Sequence, residues 1–206
     1  MLFSLTYLIN LVQDKRIGSI TPTSRFGVKR ILDKIDFFSA DTIVEYGPGT
    51  GVICKALLKQ MKPDAKLIAI ETNKKFVRIL RKQIKDPRFF IFHDSAENVT
   101  GCLRKAGASS ADYIISGIPF TMLDNETANH IVYETEKMLN IGGKFLVYQF
   151  LLYLENESSK GIHRFLPSHF QVINKQPEML NIPPLRVYEA IKTRAINYQA
   201  KISAAL

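Results

Sequence analysis

The run Ile43-Val44-Glu45-Tyr46-Gly47-Pro48-Gly49-Thr50-Gly51 constrains this chain more than any other segment. Two β-branched residues lead to an acid, then to glycines at alternate positions. Val52-Ile53-Cys54-Lys55-Ala56-Leu57-Leu58 follows and reads as a helix. A strand must therefore turn tightly into a helix start. Glycine permits positive φ and leaves no Cβ between the main chain and a ligand. A ligand can lie against bare backbone there. The G-x-G-x-G spacing differs from the G-x-G-x-x-G of dinucleotide-binding turns. A glycine-rich turn without a ligand is the plain alternative, but it does not call for Glu45 or for the acids that follow.

Strand-like and helix-like segments alternate from there on, which predicts an α/β fold with a largely parallel sheet. Helices are expected over 26–37, from 52 to about 60, over 73–84, 96–105 and 126–139, the last closed by Gly142-Gly143. Strands are expected over 42–46, 66–71, 89–92, 113–116 and 144–150. Two late strands, 169–175 and 186–192, flank a proline-rich loop and suggest an antiparallel hairpin at the sheet edge. The expected architecture is a Rossmann-like seven-stranded, mostly parallel sheet with a C-terminal antiparallel hairpin and helices on both faces. Residues 1–25 are expected to form an N-terminal amphipathic helix and a closing segment, and 26–206 the main domain.

Ligands of open parallel sheets bind beyond the C-terminal ends of the strands, where strand order reverses. Each candidate polar residue lies at such an end. Gly47, Gly49 and Gly51 follow the first strand. Glu71, with Thr72 after it, ends the second and can take both hydroxyls of a ribose. Asp94, Ser95 and Ala96 follow the third, where a carboxylate can accept from an adenine amine. Ser116-Gly117-Ile118-Pro119-Phe120 follows the fourth. Each has a bland reading: Glu71 as a helix N-terminal acid, Asp94-Ser95 as a helix cap, Gly117 and Pro119 as a turn. The order of all four is more specific than any one of them.

V-E-Y-G-P-G-T-G, A-I-E, H-D-S-A and I-I-S-G-I-P-F together resemble class I S-adenosylmethionine (SAM) methyltransferases over roughly residues 20–150. Two subfamilies compete. Ribosomal RNA adenine dimethyltransferases carry a similar glycine loop but an N-L-P-Y motif, and Ser116-Gly117-Ile118-Pro119-Phe120 lacks that Asn. Bacterial phospholipid N-methyltransferases look closer. Thr21-Pro22-Thr23-Ser24-Arg25, the S-G-x-P loop and Asn181-Ile182-Pro183-Pro184 are similar to theirs. The resemblance implies SAM as cofactor, held by Ser24, Glu45, Tyr46, Gly47, Gly49, Gly51, Glu71, Thr72, Asp94, Ser95, Ala96, Ser116 and Gly117. It implies an acceptor site at Ile118 and Pro119. Arg164 is a candidate to bind a lipid phosphate where substrate would enter, with a solvated arginine as the alternative, and no metal is expected. Glu45 would sit near the methionine end of SAM or order the glycine loop. Thr21-Pro22-Thr23-Ser24 also reads as a turn capping the helix that follows.

An attacking amine must be neutral and in near-attack range, about 3–3.5 Å. Phe120 is expected to stabilise the cationic transferring group by roughly 0.5–2 kcal/mol, with simple loop packing as the alternative. Tyr148 is expected to aim its hydroxyl at the substrate, with a core tyrosine as the alternative. No residue identifies itself as a general base, and His130 reads as structural.

Net charge is +9 with a pI near 9.5, which predicts attraction to polyanions. Cys54 and Cys102 have no metal-like spacing, and a reducing cytoplasm suits them. The apolar run 1–12 is too short to span a bilayer and ends at Asp14-Lys15-Arg16. Its periodicity suits a membrane interface with Lys15 and Arg16 at anionic headgroups. A helix packed on protein is the alternative. The leading expectation is a cytoplasmic enzyme, peripheral on the inner face of the cell membrane, that methylates an amine-bearing phospholipid such as phosphatidylethanolamine. The rivals are an RNA or small-molecule methyltransferase and an inactive SAM- or nucleic-acid-binding module.

Overall fold

The computed structural model describes residues 23–151, 161–181 and 184–193. The expected helix at 1–12, Thr21, Pro22, Ile182 and Pro183 lie outside the described residues. Among the described residues the order is α1 (Arg25–Leu32), β1 (Thr42–Tyr46), α2 (Val52–Leu58), β2 (Lys66–Glu71), α3 (Lys74–Gln83) and β3 (Phe89–His93). There follow α4 (Val99–Lys105), β4 (Ala111–Ser116), α5 (Asn125–Met138), β5 (Leu139–Phe150), α6 (Leu166–His169), β6 (Gln171–Glu178) and β7 (Leu185–Ile191).

The seven strands form one sheet in the order β3-β2-β1-β4-β5-β7-β6. The first five pair in parallel, while β7 runs antiparallel to both β5 and β6. This is the architecture expected from the alternation of segments. Because β1 lies between β2 and β4, the chain winds outward one way, returns, and winds the other way. The resulting switch point lies beyond the C-terminal ends of β1 and β4, where such sheets bind ligands.

All five residues of β1 are buried, as a strand covered on both faces requires. Val44 and Tyr46 join an apolar layer with Val99, Leu103, Ile131, Val132 and Phe145, beneath α4, α5 and α6. Ile43 joins a second layer with Ile31, Ile53, Leu57 and Leu80, beneath α1, α2 and α3. Capping fixes the helix starts. The side chains of Ser24, Asn73 and Asp124 accept from the amides of Gly27, Lys75 and Thr127. In α3, Phe76, Val77 and Leu80 are buried while the last turn carries Arg81 and Lys82, so its basic residues form the outer face.

Several boundaries differ from expectation: α4 begins only at Val99, and β6 runs from Gln171 to Glu178, so Pro177 lies in the strand and not in the loop after it. Helix α1 stops at Leu32, with Asp33 as its C-cap, rather than at Phe37. Helix α5 stops at Met138, and the chain enters β5 at once. Leu139 pairs with Ala111, the register then shifts, and Lys144 pairs with Tyr113. Gly142, at φ 82°, makes that bulge instead of closing the helix.

Candidate active site

Over the ends of β1, β2, β4 and β5 lies a cleft of about 420 Å³, a size ordinary for a small-molecule site. Gly47 and Gly49 form its floor with Pro48, at φ values of 66° and 54° for the two glycines. A side chain at either position would be strained, and the main chain lies bare. Gly51 serves packing instead: it caps α2 outside the lining, and a Cβ there would overlap the Leu80 side chain.

Glu71 is 7% exposed and ties two loops together. Its Oε2 accepts from the amide of Gly49 at 3.1 Å and its Oε1 from the amide of Asn73 at 2.8 Å. Thr72 lines the cleft beside it. Asp94, also in the lining, accepts from the Ser95 amide and the Asn98 side chain, both at 2.8 Å. Ser95 caps the short turn Ala96–Asn98, accepting from the Glu97 amide. The bland readings of Glu71 and Asp94 therefore hold locally, and both carboxylates still face the cleft.

Glu45 is 1% exposed. The Cys54 thiol of α2 donates to its Oε2 at 2.8 Å, while its Oε1 is buried with no hydrogen-bond partner. Burial pushes the Glu45 carboxyl up to about 7, opposed by the Cys54 hydrogen bond and reinforced by the negative charge of Glu71. Burial likewise raises the Cys54 thiol, so it stays a protonated donor. The cleft thus presents an unmatched acceptor beside a second acid, an arrangement suited to a cationic group.

Gly117, Ile118, Pro119 and Tyr148 line the opposite side. A Cβ on Gly117 would fall inside the Tyr148 hydroxyl. Glycine there is a condition for the ring position. The Ser116 hydroxyl is fully buried and accepts from the Ile118 amide at 3.2 Å, which shapes the turn.

Several expected residues sit elsewhere. Tyr46 points into the core, where its hydroxyl meets Thr135 at 3.1 Å and its ring meets Phe145 edge-on. Phe120 is 1% exposed within the apolar layer under α5 and outside the lining, so its ring serves packing. Arg164 is exposed, stacked over Phe165 and away from the lining. Ser24 caps α1, and it is Thr23 that reaches the cleft. Gln149, Phe150, Met122 and Thr127 also line it and were not anticipated. Alternation along β5 and helix spacing from Pro119 carry a weak signal for them at best.

Bare glycine backbone, two carboxylates at adjacent strand ends and the unmatched Glu45 oxygen fit SAM, which carries a ribose, an adenine and a cationic methionine end. A family model described as ribosomal RNA adenine dimethylase matches residues 15–96. Ornithine lipid N-methyltransferase of Singulisphaera acidiphila is 25% identical over 84% of this chain and 86% of its own length. A probable ribosomal RNA small subunit methyltransferase A of Thermococcus kodakarensis is 30% identical over 61% of this chain and 44% of its own. Across the ribosomal RNA methyltransferases it matches, the chain spans 24% to 48% of their length. Among solved structures, the N-methyltransferase NodS of Bradyrhizobium japonicum with S-adenosyl-L-homocysteine superposes with a TM-score of 0.66 at 11% identity, covering 93% of this chain and 99% of that one. The chain is a SAM-dependent methyltransferase with the class I fold, similar in sequence to a lipid N-methyltransferase and, over residues 15–96, to ribosomal RNA adenine dimethylases.

Proposed function

We propose that this methyltransferase acts on the amine of a lipid, as a peripheral enzyme on the inner face of the cell membrane. The observation that carries this reading is the match to ornithine lipid N-methyltransferase, 25% identical over 84% of this chain and 86% of that protein. The surface supports it. Register places the β6–β7 connection at the C-terminal end of β5, since both Phe150 and Glu178 pair with Leu185. Met179 and Leu180 stand exposed there, at 64% and 62%. Met122, 51% exposed, lies in the cleft lining, and Phe26 lies close in sequence to Thr23 with the Arg25 guanidinium 4.7 Å over its ring. Apolar side chains with a cation at the cleft edge, on a chain of net charge +9, suit an anionic lipid surface. Phe38 and Ile141 are exposed at the opposite edge and belong to no such rim.

When bound, SAM supplies a sulfonium-activated methyl group, which needs no further activation by the protein. The chain's work is binding and placement. Glu71 would hold the ribose, Asp94 the adenine side, Glu45 the ammonium, and Gly47 to Gly49 the backbone floor. Ile118, Pro119 and Tyr148 shape the acceptor side and exclude water, which favours a neutral amine.

The RNA reading draws on the family match at residues 15–96. Against it stands Ser116, whose hydroxyl is engaged in the turn and brings no amide to a base. Incubation with labelled SAM, total lipid and total RNA decides between them. Label in lipid, with loss of anionic-vesicle binding on removal of residues 1–16, is expected. Label in RNA alone, with a steep salt dependence of binding, overturns the lipid reading.

A further inference from the structure

Gln149 lies on β5 between Tyr148 and Phe150, and all of them line the cleft. It is 5% exposed, and its Oε1 is buried without a hydrogen-bond partner. A buried carbonyl left without a donor keeps an uncompensated desolvation cost. A ligand donor would remove that cost. Strand order says which ligand. Glu45, Glu71 and Asp94 belong to β1 and the strands wound outward from it, while β4 and β5 lie on the other side of the switch point. Gln149 therefore faces the acceptor side. Ser116 pairs with Val147, so Gln149 lies two residues further along β5 on the face that Ser116 shares. The Ser116 hydroxyl is taken by the Ile118 amide, and residue 117 has no side chain.

We infer that Oε1 of Gln149 accepts a hydrogen bond from the acceptor nitrogen and thereby directs its lone pair to the methyl group. The inference rests on the amine-methylation reading and names the residue that would recognise the amine. A neutral primary amine has two N–H groups and one lone pair. One N–H given to Gln149 leaves the lone pair for the new bond. Nitrogen gains the bond to carbon, the electrons of the carbon–sulfur bond stay on sulfur, and positive charge arrives on nitrogen. The N–H···O bond strengthens as that charge builds. The surplus proton of the product ammonium then leaves to solvent. A neutral tertiary amine has no N–H, so Gln149 assists the first two transfers and not the third.

The test compares wild type, Gln149→Leu and Gln149→Glu on phosphatidylglycerol vesicles carrying phosphatidylethanolamine or its N,N-dimethyl form. Gln149→Leu is expected to raise the KM for the primary amine about tenfold, equal to about 1.4 kcal/mol. The dimethyl lipid and SAM affinity by calorimetry should change less than about twofold. Gln149→Glu keeps an acceptor oxygen at the same reach and should stay within about threefold of wild type. Equal losses on both lipids, or none on either, overturn the inference while leaving the lipid reading standing. If wild type labels RNA and not lipid, the lipid reading falls and the inference about Gln149 falls with it.

Discussion

The backbone amide of Ser24 donates to Oδ1 of Asn181 at 2.7 Å, joining the start of α1 to the β6–β7 connection. Asn181 is fully buried. Thr23, next to Ser24, lines the cleft, so this contact sets where the closing segment meets the ligand. Gly27 makes room for it, since a Cβ there would come within 2.8 Å of the same oxygen. Asn181→Ala should cost about 1–3 kcal/mol in urea unfolding and weaken SAM binding severalfold by calorimetry. Unchanged values in both would mean that Ser24 is held by other contacts.

Glu45 gives the protein a pH signature. Its carboxyl is raised from 4.5 to about 7, chiefly by burial. Between those values the folded ligand-free chain keeps a proton that the unfolded chain has lost. This group's contribution therefore declines as pH rises across the window, by up to about 3 kcal/mol. SAM binding runs the other way: an ammonium needs the carboxylate, and affinity should fall as pH drops through about 7. Glu45→Gln should flatten both profiles. Cys54→Ala removes the bond that favours the carboxylate and should move the binding midpoint upward, whereas Cys54→Ser should not. A binding curve flat with pH in wild type would rule out Glu45 as the ammonium's partner.

Glu71 and Gly49 act together, because the carboxylate of one holds the amide of the other at 3.1 Å. Glu71→Ala and Gly49→Val should each lower SAM affinity at least about tenfold, or about 1.4 kcal/mol. The valine also places a β-branched residue at φ 54°, a strain of about 1–3 kcal/mol. Circular dichroism should show the fold retained. Wild-type affinity in both variants would refute the placement of the cofactor.

Gly117 and Tyr148 predict a loss of turnover without a loss of cofactor. Gly117→Ala should drive the Tyr148 ring out of its place and cut kcat at least tenfold, about 1.4 kcal/mol, with SAM affinity near wild type. Tyr148→Phe, which keeps the ring, separates the hydroxyl from the packing. A fully active Gly117→Ala would show that the ring has room to move.

Phe120 predicts the reverse. Packed beneath α5 and 1% exposed, it should cost about 3–5 kcal/mol of stability on replacement by Ala. Turnover per folded molecule should change little. A kcat that falls while the urea midpoint holds would restore it to the catalytic group.

The sheet was legible in the sequence because each of β1 to β4 is a short apolar run ended or followed by a glycine or an acid, and strand ends are where such folds bind ligands. Glu45, Glu71 and Asp94 could be found for that reason. Residues whose role depends on neighbours far along the chain could not. The first residue of β5 looked helical because Leu139 continues the α5 pattern, and only its pairing with Ala111 makes it a strand. Phe120 looked exposed to ligand because it follows a loop motif, yet burial decided its direction. Gln149 carried no motif at all, and its importance lies in a missing partner that one-dimensional reading does not reveal.

The space that Gly117 leaves for the Tyr148 hydroxyl makes these positions a single heritable unit. Any descendant that acquired a side chain at 117 would have to surrender the tyrosine as well. Drift in acceptor preference along this lineage should therefore proceed by paired replacement, not by single steps.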